Sequence, residues 1–238
     1  MLYGRHLGLG GAFIGRVDDM DEAALSQQSP QALAMRRQVA ELKTLLDERG
    51  LKPRAVHRFV RATRHGDDLL LCAGDIERWA HFPRVDGRSI ADFVAPFADS
   101  IALFAVTVGS GVTDLCAELR DSGEFVKVHL VQSLALAMAE AAAEWVHARV
   151  RADWNLEPWR PLPDATERRA LLRGQYRGER FSPGYRACPD LALQRLLFDF
   201  LDPRDIGIEL TESWMMHPEA SVSGLVVHHP AAGRQPCP

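Results

Sequence analysis

The sequence predicts an α+β domain, and three observations carry that prediction. Its strand-like runs mostly do not alternate with helical ones. Residues 65–68, HGDD, supply turn chemistry between the β-prone runs VHRFVRA and LLLCAG, which reads as a hairpin. Residues 125–153 form one long helical stretch rich in Ala, Leu, Met and Glu. The 238 residues suit one large domain or two small ones, and either way suffice for a real core. A composition that is 47% hydrophobic and 25% charged excludes a disordered chain, a collagen and a coiled-coil rod. The net charge of −4 gives no electrostatic reason to expect nucleic acid or an anionic membrane as the main partner. The most apolar stretch, residues 130–146, is interrupted by Gln132, Ser133, Glu140 and Glu144, short of the ~18 uninterrupted residues of a membrane span. The amino terminus lacks signal-peptide features. Cys72, Cys116, Cys188 and Cys237 lie far apart without a C-x-x-C pair, which argues against a disulfide scaffold and a zinc site. A reduced, cytoplasmic setting is the expectation.

In chain order, residues 1–30 read as an irregular lead-in, Gly-rich and then acidic. Over residues 30–50, Leu33, Val39, Leu42, Leu45 and Leu46 have helical spacing, and Gly50 sits where such a helix would stop. After the hairpin, FPRVDGRS is a loop. SIALFAVTVG is a buried central strand, and a glycine turn opens into a helix over VTDLCAELRDSG. The long helix is followed by a Pro-rich break at 155–165 and a short helix around TERRALLRGQY. RFSPGYRACPD is predicted to be irregular, and Asp190 caps LALQRLLFDFL. IGIELTES and SVSGLVVHH are strand-like, and residues 231–238 are expected to be a disordered tail.

Few motifs carry chemistry. VTVGSGVTD has Asp114 where a dinucleotide fingerprint wants a third glycine, so it reads as a capping turn. His129, Ser133, Glu140, Glu144 and His147 fall near one helical stripe, either a solvated face or a pair of carboxylates lining a cleft. Neither an H-E-x-x-H pattern nor a G-x-S-x-G elbow occurs. The basic residues from Arg36 to Arg64 are interleaved with acids and read as solvated surface or a docking face for an acidic partner. Residues 177–190, RGERFSPGYRACPD, concentrate Arg, Pro, Gly and Tyr. Pro183 fixes the backbone, Gly184 permits close approach, Arg180 offers a fixed charge suited to a carboxylate, and Tyr185 presents a ring with a hydroxyl. By physics alone this is a binding loop of unspecified ligand or a structural loop. Cys188 reads as a structural thiol.

RFSPGYRACPD resembles the R-x-x-P-G-Y-P-A-C-P-D loop of the activation domain of cobalamin-dependent methionine synthase, which binds S-adenosylmethionine. Residues 205–230, 123–147, 91–109 and 65–71 are similar, in order, to other stretches of that domain, so the resemblance covers nearly the whole chain. It implies a twisted, mainly antiparallel sheet with flanking helices, as a single domain over residues 1–238. It further implies a reactivation module that supports reductive methylation of cob(II)alamin held by a partner cobalamin-binding domain or subunit, with a flavodoxin-like electron donor. The protein's share of that chemistry is positioning and exclusion of water.

By the same resemblance, Arg180 would hold the methionyl carboxylate and the backbone of Phe181, Ser182, Pro183 and Gly184 would line the site. Tyr185 would sit between ligand and cobalamin. Glu140 would order water or the ligand's ammonium, which makes Tyr185 and Glu140 the candidate catalytic residues; no metal ligand is implied. The chain lacks the homocysteine, folate and cobalamin domains, so it would act in trans and would not make methionine alone. Arg186 replaces the loop's proline, Arg234 and Gln235 replace an aromatic pair, and an upstream acidic residue of the family has no counterpart. These departures motivate an alternative, a non-catalytic docking protein of the same fold that has lost ligand binding.

Overall fold

The computed structural model describes residues 21–160, 164, 174 and 176–232. Helices α1 (Glu22–Gln28) and α2 (Pro30–Glu48) open the described chain. Asp21 accepts a hydrogen bond from the Ala24 N–H, Ser29 accepts one from the Ala32 N–H, and Pro30 begins α2. Residues 22–28 are therefore helical, where the sequence predicts an irregular lead-in. So short a helix is marginal alone, but Leu25 is fully buried against Ala32 and Leu33 of α2.

Strands β1 (Arg54–His65), β2 (Asp68–Ala73) and β3 (Ile76–His81) form a meander. The β1–β2 hairpin turns where HGDD predicts it. β3 is an addition to the sequence-based prediction: Ala73 pairs with Ile76 across a two-residue Gly74–Asp75 turn, with Gly74 at φ 58°. A 3-10 turn (Ile90–Phe93) leads into β4 (Asp99–Thr107), buried from Ile101 onward. Then follow α3 (Gly111–Asp121), α4 (Phe125–Asp153), β5 (Glu179–Phe181) and α5 (Leu193–Leu201). A second 3-10 turn (Pro203–Ile206), the two-residue strands β6 (Glu209–Leu210) and β7 (Met216–His217), and β8 (Ser221–Val227) complete the order.

The main sheet has the order β3-β2-β1-β4-β8-β5, antiparallel at every pairing. Its two faces follow the two-residue alternation of a strand. Ile101, Leu103, Leu225 and Val227 face α5 through Leu197 and Phe200, whereas Ala102, Phe104, Val106 and Val226 face Ala143, Val146 and Val150 of α4. The first half of α4 packs on α2 and α3 through Val131, Leu134, Leu46 and Leu115. By length and composition α4 would suffice to cross a membrane; here its small apolar residues Ala135, Ala139 and Ala143 are fully buried in the domain. The glycine turn before α3 has a packing cause: a Cβ at Gly111 would lie 2.5 Å from Leu51 Cδ2.

Three other expectations change. Arg180 and Phe181 are strand rather than irregular loop, because they pair with Val226 and Leu225 of β8. The strand-like IGIELTES shortens to Glu209–Leu210, since Thr211 starts a tight turn in which its hydroxyl accepts from the Met215 N–H. Within the predicted tail, Ala232 is buried in the core and its N–H donates to the His229 carbonyl; residues 233–238 lie outside the described residues, as does most of the helix expected around 166–176.

The carboxy end of α4 is clamped to the sheet beside Asp99. The Trp154 indole N–H donates to Ser100 Oγ at 3.0 Å, and His228 Nε2 lies 2.8 Å from Asp99 Oδ1. Burial alone pushes the Asp99 carboxyl up, but the Ala95 and Ser100 N–H groups and His228 together hold it below its ordinary value. A depressed carboxyl contributes stability that is present above its unfolded pKa and lost as pH falls through the folded one. Asp99→Asn is therefore expected to lose part of the wild-type decline in urea midpoint between about pH 5 and pH 2. Identical pH profiles for the two proteins would contradict this.

Candidate functional site

β8 has β4 along one side over residues 221–226 but β5 along the other only at residues 225–227. Continuing the β5 register would set Pro183 opposite Ser223, and proline has no N–H to donate. The ladder therefore stops and the chain turns away. The turn is held by Gly184 N–H donating to the Cys188 carbonyl and Cys188 N–H donating to Tyr185, both at 2.8 Å, with Gly184 at φ 88°. Val108 N–H donates to Ala220 on the β4 side of β8. By the alternation of an antiparallel ladder, the peptide group of Ser223 then faces the open edge.

A cavity of about 410 Å³ lies along that edge. Ser133, Leu136 and Glu140 of α4 form one wall, Ser182, Pro183 and Tyr185 a second, and Met215, Met216 and Glu219 a third. The size and the largely apolar walls suit a small molecule. Ser223 and Gln194 at the base are hydrogen-bonded to each other, so neither polar side chain is left unsatisfied.

Charge is concentrated where α4 meets β5. Arg180 Nη2 lies 3.2 Å from Glu140 Oε2 and 3.2 Å from Glu144 Oε1. These carboxylates are one helical turn apart, so one guanidinium is shared by two acids and the group carries a net negative charge. The Arg180 side chain is only 15% exposed, and its guanidinium lies 5.8 Å from the Phe104 ring centroid. Its Nη1 is buried and makes no hydrogen bond. The stripe predicted as either solvated face or cleft lining runs inward over Glu140, Glu144 and His147: His147 is buried, its ring edge-on to Tyr176 at 4.9 Å. His129, at the other end, is exposed.

The structure thus brings Glu140, Ser182, Pro183 and Tyr185 to the cavity wall, with Gly184 in the turn between the last two. Arg180 stands behind Glu140 rather than among the lining residues. The Phe181 side chain points to the opposite face of the sheet, stacked on Phe93 at 6.1 Å, while its backbone carbonyl crowds Gly224. Glu144, a member of the predicted stripe, joins the site through Arg180, whereas Gln194, Ser223, Met215 and Met216 join it without having been singled out for it. The i, i+4 spacing from Glu140 was the signal for Glu144, and local sequence carries none for the others. Arg186 does not hang free at the rim; it pairs with Asp86 at 2.7 Å. Arg234 and Gln235 lie outside the described residues. Among the described residues, no group of three or more His, Cys, Asp or Glu side chains is placed to hold a metal ion.

Cys188, 1% exposed beneath the loop, has its thiol pushed up to about 12 by burial, with Asp190 adding to the shift. We expect native protein at pH 8 to leave Cys188 unlabelled by a maleimide while denatured protein reacts there, as mapped by mass spectrometry. Rapid native labelling of Cys188 would contradict the buried position.

Residues 22–234 match the family described as the activation domain of vitamin B12 dependent methionine synthase. The chain is 31% identical over 197 residues to a methionine synthase of Mycobacterium tuberculosis (strain ATCC 25618 / H37Rv), covering 74% of this chain and 16% of that protein. It is 35% identical over 166 residues to a methionine synthase of Mycobacterium leprae (strain TN), covering 63% and 14%. It therefore spans about a sixth of the length of these relatives. Among solved structures, the crystal structure of the MetH reactivation domain bound to AdoHcy superposes with a TM-score of 0.75 at 29% identity, covering 89% of this chain and 70% of that one.

Proposed function

The chain belongs to the activation-domain family of vitamin B12 dependent methionine synthase, and from that premise we propose that it binds S-adenosylmethionine along the open edge of β8 and presents it to a cobalamin held by another domain or chain. The observation that carries this reading is Glu140 on the wall of a cavity of about 410 Å³, paired at 3.2 Å with Arg180 directly behind it. An amino-acid zwitterion has the complementary pair of charges. The carboxylate would take the buried, unbonded Nη1 of Arg180, a charge-assisted contact, and the ammonium would take Glu140. The open peptide of Ser223 offers a further donor and acceptor, while Leu136 and Pro183 cover the apolar parts.

When bound, S-adenosylmethionine supplies an electrophilic methyl group on a sulfonium. This chain's own part is to fix that group's direction and to exclude water. Tyr185, 67% exposed, and Met215, 55% exposed, stand at the mouth of the cavity. There they would close over the ligand when the cobalamin-bearing partner docks. The partner would be a methionine synthase cobalamin domain, the reductant a flavodoxin-like donor, and the setting cytoplasmic. Titration calorimetry with S-adenosylmethionine and with S-adenosylhomocysteine tests the reading, and one-to-one binding of both is expected; no heat from either overturns it.

A second reading, a docking protein without ligand binding, is favoured by one observation: Glu140 and Glu144 already occupy Arg180. Pull-down of a cobalamin domain that is indifferent to S-adenosylmethionine, together with a silent titration, would support it.

A further inference from the structure

The guanidinium shared by Glu140 and Glu144 is one end of a longer chain of contacts. The Tyr176 hydroxyl donates to Glu144 Oε2 at 3.3 Å. The Tyr176 ring is gripped on two sides, with the Arg151 guanidinium over it at 4.1 Å from the centroid and the His147 ring edge-on at 4.9 Å. Arg151 is in turn held by Glu157, with Nε at 2.8 Å and Nη2 at 2.7 Å from Oε1. Only 1% of Arg151 is exposed. A buried cation costs several kcal/mol in lost hydration unless it is well paired, so a fixed arginine here is an expensive way to pin a helix end. The contacts run in line: Glu157, Arg151, Tyr176, Glu144, Arg180.

We propose that Tyr176 is a positioning residue for the charged end of the ligand site; the inference rests on the S-adenosylmethionine site proposed above. If a ligand ammonium takes Glu140, Arg180 loses one of its two carboxylates. Of the two protein carboxylates, Glu144 is then the one left to aim the guanidinium at the ligand carboxylate, and it can do so only from a fixed place. The Tyr176 hydroxyl fixes that place, and Arg151 and His147 fix the ring. Glu144 thereby serves as the permanent partner of Arg180 and Glu140 as the exchangeable one. The relay acts on the amino-acid part of a ligand and is indifferent to its nucleoside.

The test compares two ligands that differ in that part: S-adenosylhomocysteine, with an amino-acid group, and 5′-methylthioadenosine, without one. Tyr176→Phe keeps the ring and removes the hydroxyl. We expect it to weaken S-adenosylhomocysteine by about three- to tenfold, the scale of one ordinary hydrogen bond because Tyr176 acts on the ligand only through Glu144 and Arg180, and to leave 5′-methylthioadenosine unchanged. Glu144→Gln should show the same selectivity, and the double variant should lose less than the sum of the two, as groups acting through one contact do. Equal losses for both ligands would reduce Tyr176 to a structural role and overturn the proposal, as would wild-type affinity for both. Should Tyr176→Phe fail to fold, as judged by circular dichroism, Glu144→Gln alone decides by the same ligand comparison. Wild-type protein that binds neither ligand would remove the site itself and the relay with it, an outcome distinct from a relay that fails at a working site.

Discussion

Arg180→Ala is expected to weaken S-adenosylmethionine binding by about 1.5–3 kcal/mol, or roughly 10- to 150-fold. The substitution would remove the proposed donor for the ligand carboxylate, and it strips Glu140 and Glu144 of their shared counter-ion. The two unpaired acids would then face an incoming carboxylate, which adds repulsion to the lost contact. Because Arg180 also packs over Phe104, part of the effect could come through the fold. Arg180→Met separates the two, since it keeps most of the apolar stem without the charge and should lose nearly as much affinity as alanine. Arg180→Lys restores a point charge but not a planar fork that can serve three acceptors, so it should recover only part of the loss. Calorimetric titration at fixed ionic strength gives the ranking wild type, lysine, then methionine and alanine together. Equal affinity for wild type and alanine would remove Arg180 from the site.

Gly224→Ala is expected to do the most damage to the fold near the site. A Cβ at this position would lie 2.4 Å from the Phe181 carbonyl oxygen, 3.0 Å from Phe104 Cε1 and 3.0 Å from Ser182 Oγ. The first neighbour is backbone and has no rotamer to escape into, so β5 must move away from β8. Overpacking of this kind costs about 1–3 kcal/mol, and at ~2–4 °C per kcal/mol for a chain of this size the melting midpoint should fall measurably. Phe181 leads directly into Ser182 and Pro183, so ligand binding should suffer as well. Gly74→Ala is the control: its Cβ meets nothing within 4 Å, and only the left-handed backbone at φ 58° opposes it. It should lower the midpoint and leave ligand affinity alone. If Gly224→Ala matches wild type in both measurements, the close approach of β5 to β8 is not a constraint on the site.

The elements easiest to read in the sequence were those whose signal is local. The long helix runs from Phe125 to Asp153 as its composition predicts, and β4 is the buried central strand expected from SIALFAVTVG. What escaped was short or weakly patterned. In β3, Glu77, Arg78 and Trp79 are all exposed and Ala80 is its only fully buried residue, so the pattern does not alternate cleanly. β5 has three residues, and it is a strand only because β8 lies beside it. α1 needs the distant stretch around Ala32 and Leu33 to bury Leu25.

For the site, residues 177–190 already stood out as a constrained segment, either a binding loop or a structural one, because Pro183 and Gly184 constrain the backbone whatever surrounds them. The stripe of Glu140, Glu144 and His147 was equally visible, but a helical face does not say which way it points. That was settled by packing: the small residues Ala139 and Ala143 let α4 lie close on the sheet, and Arg180, 36 residues beyond Glu144 in the chain, arrives on β5 to meet both acids. Sequence determined the chemistry available and the local turns that carry it, since torsions and hydrogen-bonding capacity belong to each residue. Tertiary structure alone decided which charges share one guanidinium and which peptide edge stays open, because those depend on distances between segments that no local preference fixes.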